Sequence, residues 1–446
     1  MAATGTVITR TAASVDSDRR SIALLARRAG WGLAPGELGA QVAAGVSATI
    51  DRLVDPDNHG LPPAPDPWDG LDLTPQRPGP NATQAEKQQA RQIERQQSEA
   101  AIGAWLDHLA TTPRPLEDWM AWFWHGHFVS GLDKVKVPAL MVQQLRTFRK
   151  LAFAPFPELV RAATTDPAML VYLDGATSTG TTPNENYGRE LLELFTLGIG
   201  NYSEDDVKAG AKALTGWTID RATGQSRFVA ARHDASPQHY LGVDGVHDLD
   251  SVVAAVVAHR ACAPFVAGKL ARTILGPSID DASVQQLATT FASSGLDTRT
   301  LLRAILEMAV DGGGQPAFVQ PVPWLVAAQR ATGSTVSGRP RLAALRSAGQ
   351  LPMVPPNVAG WPLGPVWLGA STIVARYDLA ADVAAATADG NPALAAAAAF
   401  DVAALADALG HPEGFGDATT AALTQLKGDP RAVLALALAS PELAQC

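Results

Sequence analysis

The stretch Trp122-Phe123-Trp124-His125-Gly126-His127-Phe128 sets two imidazoles among four large aromatic rings. Rings of that size are usually buried, and a buried imidazole must find a partner for each ring nitrogen: a metal, a carboxylate or a backbone carbonyl. One reading is a fully buried helix, apolar all round, whose two histidines each bond a neighbour and complete a core. The other reading is ligation. Successive residues on a helix turn by about 100°, so His125 and His127 would point roughly 200° apart and could not share one ion. Chelation at that spacing needs extended backbone, and Gly126 is the residue that would let the helix end between them.

Working outward, the chain on both sides is helical in pattern. Residues 81–110 are rich in Gln, Glu, Ala and Arg with no internal proline, which predicts a long exposed helix ended by Pro113 and Pro115. Further helices are expected over 116–129, 138–153, 156–163 and 167–173. The Gly, Ser and Thr run 174–183 breaks the pattern, and Asn184 then caps a new helix over 184–197, closed by Gly198 and Gly200. Ser203 caps another over 204–214. Residues 216–229 place Trp217, Ile219, Phe228 and Val229 around an Arg221-Ala222-Thr223-Gly224 turn, a hairpin signal. Helical periodicity resumes from Leu249.

Two segments interrupt the rhythm. Residues 55–80 are dense in proline and glycine and predict an extended surface excursion, and 351–368 carries five prolines with Trp361 and Trp367. No repeat of constant period occurs. The expected architecture is mainly α, a single large multi-helix domain over 18–380 with one small β-hairpin. A C-terminal helical portion over 381–446 should be packed on it or loosely attached.

Composition bounds the function. With 446 residues, 47% hydrophobic and 18% charged, the chain is ordinary globular material. A net charge of -9 without long single-sign runs disfavours a nucleic-acid partner. Cys262 and Cys446 form no CxxC, so neither a disulfide framework nor a thiolate zinc site is expected. No apolar run is long enough for a transmembrane segment, and Met1 to Arg20 has no leader-like apolar stretch, so a cytoplasmic location is expected. A serine-hydrolase elbow and a phosphate-cradling loop are both absent.

Chemistry centres on three constellations. Besides the His125/His127 pair, the run Asn184 to Gly198 would line Asn186, Glu190, Glu193 and Leu197 along one stripe beside the apolar face of Tyr187, Leu191 and Leu194. Two carboxylates one turn apart there are costly unless paired, protonated or metal-bound. Salt bridges with Arg189, Lys208 or Lys212 are the plain alternative. The third is Arg232-His233-Asp234 followed by His239, where a histidine beside a carboxylate could be oriented as base or ligand, or simply form a turn.

Several blocks taken together resemble the bacterial family called domain of unknown function 1800. They are Leu24-Leu25-x-Arg27, the Phe123 to Phe128 core, the Asn184 to Gly198 run, Ala213-Leu214-Thr215-Gly216-Trp217, His233-Asp234, Phe265 to Leu270, and Pro355-Pro356-Asn357-Val358-x-Gly360-Trp361. The resemblance implies one fold for these blocks and no established activity. It also implies relatives that are often exported and a sulfatase-like neighbour as a possible companion. Where the family keeps a lysine ahead of a Leu-Gly pair, this chain has Gln238 before Leu241-Gly242.

Two functions follow as expectations. In the first, His125, His127, His233 and Glu190 bind one divalent metal in a polar pocket, Glu190 or Glu193 acts as general base on an activated water, and Arg189 steadies an anionic group, giving a metal-dependent hydrolase. In the second, the same groups form a satisfied network in a non-catalytic scaffold or partner of a sulfatase-like protein.

Overall fold

The computed structural model describes residues 12–220 and 223–445. Its Pro115–His127 helix lies in the middle of the core, and from Asp118 to His127 every residue but Gly126 is buried. Pro115 starts it where a missing amide costs nothing, and Glu117 and Asp118 face the positive end of the helix. The helix does not end at Gly126. It continues through His127 and stops at Phe128, whose amide still donates to the Trp124 carbonyl.

The neighbouring helices follow from their caps. The long helix Gln84–Thr111 opens on a reciprocal Thr83/Glu86 capping box, and Glu204–Ala213 opens on a Ser203/Asp206 one. Asp118, fully buried, ties three elements together. Its Oδ2 accepts from His108 Nε2 at 2.8 Å and from the Thr112 hydroxyl at 2.5 Å, while its Oδ1 accepts from Arg149 Nε at 2.6 Å.

The excursion 55–80 has no helix or strand, and it is fastened down. Trp68 is buried with its indole N–H on the Ala101 carbonyl at 3.0 Å, and Arg114 and Arg149 donate to the carbonyls of Leu61 and Pro65. These bonds satisfy main-chain groups that a proline-rich segment cannot pair internally.

Among the described residues, 22 α-helices stand against four short strands, which makes the fold mainly α. β1 (Trp217–Ile219) pairs antiparallel with β2 (Ser226–Phe228), as the sequence predicts, although Arg221 and Ala222 of the expected turn lie outside the described residues. A second hairpin, β3 (Gln238–Tyr240) with β4 (Val243–Val246), was not signalled by the sequence. Its turn uses positive φ at both Leu241 (51°) and Gly242 (80°), a conformation that asparagine or glycine normally takes. The Asp206 carboxylate holds the Leu241 amide at 2.7 Å and offsets that cost.

The C-terminal helices pack against the body. Trp324 donates its indole N–H to the Leu438 carbonyl at 3.0 Å, Asn391 bonds the Ala331 carbonyl at 3.2 Å, and Arg19 pairs with Asp407. Leu379, Val383, Leu434 and Leu438 join the same continuous apolar core as Trp122 and Phe128.

Candidate functional site

The two central histidines are held as opposite neutral tautomers. Met353 N–H donates to His125 Nε2 at 3.1 Å, so the proton of that ring sits on Nδ1. His127 Nε2 donates to the Phe195 carbonyl at 2.8 Å, which leaves Nδ1 bare. Burial lowers His125 to about 3 and holds His127 well below the ordinary imidazole range, with the charge of Lys269 acting in the same direction on His127. Among the described residues no carboxylate acts on either ring.

The expected metal set does not come together. Among the described residues no group of three or more His, Cys, Asp or Glu side chains is placed to hold a metal ion. The one bare nitrogen of His125 is taken by the Met353 amide, and His125 and His127 face opposite sides of one helix, as their spacing requires. His233 lies at the base of the first hairpin, its Nδ1 donating to the Thr215 carbonyl at 3.0 Å and its ring against Phe228. Asp234 turns away to Ser236, and the exposed His239 pairs with Asp244 across the second hairpin.

The Asn184 block departs from a plain helix. Glu185–Glu190 is α, capped by Asn184, and Leu191–Thr196 widens into a π turn, a form often found near functional sites. Arg189 forms a two-pronged pair with Glu204, both contacts at 2.7 Å. Glu193 accepts from the Tyr202 hydroxyl at 2.6 Å. Burial, then the Glu193 charge, raises Glu190 above the usual carboxylate range.

Carbonyls at the end of the π turn find side-chain partners from other elements. His127 takes Phe195, Lys269 of the Cys262–Leu275 helix takes Leu194 at 3.4 Å, and Asn201 takes Leu197 at 2.9 Å. Lys269 also lines a cleft of about 140 Å³, together with Arg27, Arg28, Trp119, Trp122 and Trp361. Trp122 and Trp361 stack at 4.9 Å and 11°, forming one wall, with Trp119 stacked on Phe123 at 6.0 Å beside it. Arg28 donates to the carbonyls of Ile274 at 3.1 Å and Gln315 at 2.7 Å, and Arg27 donates to Gly410 O and pairs with Glu413 at 3.0 Å.

Among the described residues no carboxylate pairs with Lys269, and burial pulls its amine down to about 8. Trp361 reaches the wall because Gly360, at φ 83°, lies directly against the Gly126 carbonyl, and because the Met353 amide is pinned by His125. His125 is thus a positioning residue for the 351–361 loop. The cleft joins residues from four of the blocks that carry the family resemblance: Arg27, Phe123 and Gly126, Lys269, and Trp361. Sequence reading missed it because the cations come from two helices far apart in the chain, Arg27 and Arg28 from one and Lys269 from the other, and only the block membership of Arg27, Lys269 and Trp361 pointed there.

A mainly helical single core with an aromatic, cation-bearing cleft is the class these features define. The family model described as "Protein of unknown function (DUF1800)" matches residues 24–445, and the chain belongs to that family. Neither the curated proteins nor the solved structures give a match. No single helix among the described residues is long and apolar enough to cross a membrane.

Proposed function

We propose that the chain binds a small organic anion, a carboxylate on a short flat or apolar body, in the cleft between Trp122, Trp361 and Lys269. One observation carries this: a partly buried ammonium that pairs with no carboxylate among the described residues, in an aromatic cleft that two guanidiniums also line. Burying a cation unpaired is costly, and an anionic ligand offsets that cost while the indole faces cover its body.

Titration calorimetry with benzoate tests it. Lys269→Gln should weaken binding about tenfold or more, since a hydrogen bond to a charged group contributes about 1.5–3 kcal/mol. Wild-type affinity should also fall as pH rises above about 8, where the free amine loses its proton, and the variant should lack that dependence. Equal binding by wild type and variant would count against the proposal.

A second reading keeps the carboxylates. Glu190, raised by burial and by Glu193 at the α-to-π junction, would serve as the proton-transfer group of a hydrolase, with Arg189 steadying an anionic group. A divalent metal at His125, His127, His233 and Glu190 would require these side chains to rearrange. Metal content by mass spectrometry on untagged protein tests that version: stoichiometric metal, lost in both His125→Ala and Glu190→Ala, is the result it needs. Co-purification with a sulfatase-like companion is the corresponding test of a scaffold role.

A further inference from the structure

We propose that Lys269 is a nucleophilic amine that forms a reversible imine with a small 2-oxo acid held in this cleft. The inference rests on the anion-binding reading and names its ligand class. Lys269 is partly buried, lines the cleft between the tryptophan wall and the Leu194 carbonyl, and has no carboxylate partner among the described residues. Arg27, which also pairs with Glu413, and Arg28 line the same cleft, and main-chain carbonyls orient both. A 2-oxo acid suits that arrangement because its electrophilic carbon is one bond from its carboxylate, so one short molecule can meet a guanidinium and the amine together.

An apolar setting is also what makes a lysine reactive, since burial favours the uncharged amine. The amine's value of about 8 means that a useful fraction is unprotonated near neutrality. In the step, the Nζ lone pair attacks the carbonyl carbon and forms a C–N bond, while the C=O π pair moves to oxygen, which takes up a proton. The nitrogen then loses its proton and the carbinolamine expels hydroxide, which leaves as water after protonation. A C=N bond remains; no group is oxidised or reduced, and hydrolysis reverses the sequence.

Trapping tests this on the full chain. Protein incubated with pyruvate and then treated with sodium borohydride should carry one adduct, equal in mass to pyruvic acid less one oxygen, and peptide mapping should place it on Lys269. Yield at a fixed time should rise from pH 7 to pH 9 as the amine loses its proton. Lys269→Arg and Lys269→Met, each checked for a wild-type melting temperature, should abolish the adduct, and exposed lysines such as Lys208 serve as internal controls. No adduct, or adducts spread over surface lysines alike in wild type and variants, would overturn the imine. The benzoate titration run in parallel separates the two failures: Lys269-dependent binding without an adduct sinks the imine alone, and loss of both sinks the cleft.

Discussion

Asp118→Ala should lower the stability of the chain by about 3–5 kcal/mol, the usual cost of removing one partner from a buried ion pair. The carboxylate is fully buried and accepts from His108, Thr112 and Arg149. Without it, the guanidinium of Arg149, only 11% exposed, keeps its desolvation cost and loses its counter-ion. The bonds join the Gln84–Thr111, Pro115–His127 and Pro138–Lys150 helices, and Arg149 also holds the Pro65 carbonyl, so the 55–80 excursion should loosen with them. Urea denaturation read by tryptophan fluorescence measures the loss. A change below about 1 kcal/mol would place this pair with exposed salt bridges instead.

The same carboxylate sets a pH dependence of known sign. Burial alone would push Asp118 up, but the hydrogen bond and charge of His108, the charge of Arg149 and the Thr112 hydroxyl more than offset it, and it titrates below the ordinary range. The native state therefore binds fewer protons than the unfolded chain in acid. Its stabilisation is complete above the unfolded value of about 4 and is lost as pH falls through the depressed native value. Asp166 runs the other way. It is buried with no cation paired to it among the described residues, bonded to Gln144 and the Met169 amide, and burial raises it to about 7. The stability linked to Asp166 therefore declines as pH rises from about 4 to 7.

Much of this fold is written in local chemistry. The Asn184, Ser203 and Thr83 caps, the prolines that open helices, and the first hairpin are short-range features whose partners lie within a few residues. The 200° divergence of His125 and His127 was equally legible, and their ring nitrogens bond main chain on different elements, Met353 and Phe195. What could not be read depends on distant contacts. The second hairpin uses a leucine where a turn residue is customary, and it relies on Asp206, 35 positions away, to hold the Leu241 amide. The π turn over Leu191–Thr196 shifts the phase of Glu193 relative to a regular helix, while the Glu193 charge still acts on Glu190.

The candidate site shows the same division. His125 and His127 stood out because aromatic neighbours announce burial, yet both are spent on main chain, one fixing Met353 and the other the Phe195 carbonyl. The charged residues of the cleft gave no such local sign. Arg27 and Arg28 close the Ala12–Ala29 helix, where basic residues suit the negative end of a helix anyway. Lys269 lies within a mostly apolar helix, and only the cleft it lines with Trp361 and the arginines gives it a ligand-binding setting.

Gly360→Ala is expected to break the wall of that cleft, and Gly126→Ala is expected to leave it standing. A Cβ on Gly360 would lie 2.3 Å from the Gly126 carbonyl oxygen, a backbone atom inside a buried helix that cannot swing aside. The residue also sits at φ 83°, which costs a non-glycine residue roughly 1–2 kcal/mol before any clash. The loop must move away, and Trp361, which stacks on Trp122, must move with it. At Gly126 the added methyl meets the Trp361 ring at 3.7 Å, an ordinary contact, and gains helix propensity of up to about 1 kcal/mol. Gly360→Ala should therefore red-shift tryptophan emission and weaken benzoate binding, while Gly126→Ala keeps wild-type tryptophan emission and a melting temperature at or above that of the wild type. Equal behaviour of the two variants would mean that the close approach of these two glycines does not position Trp361.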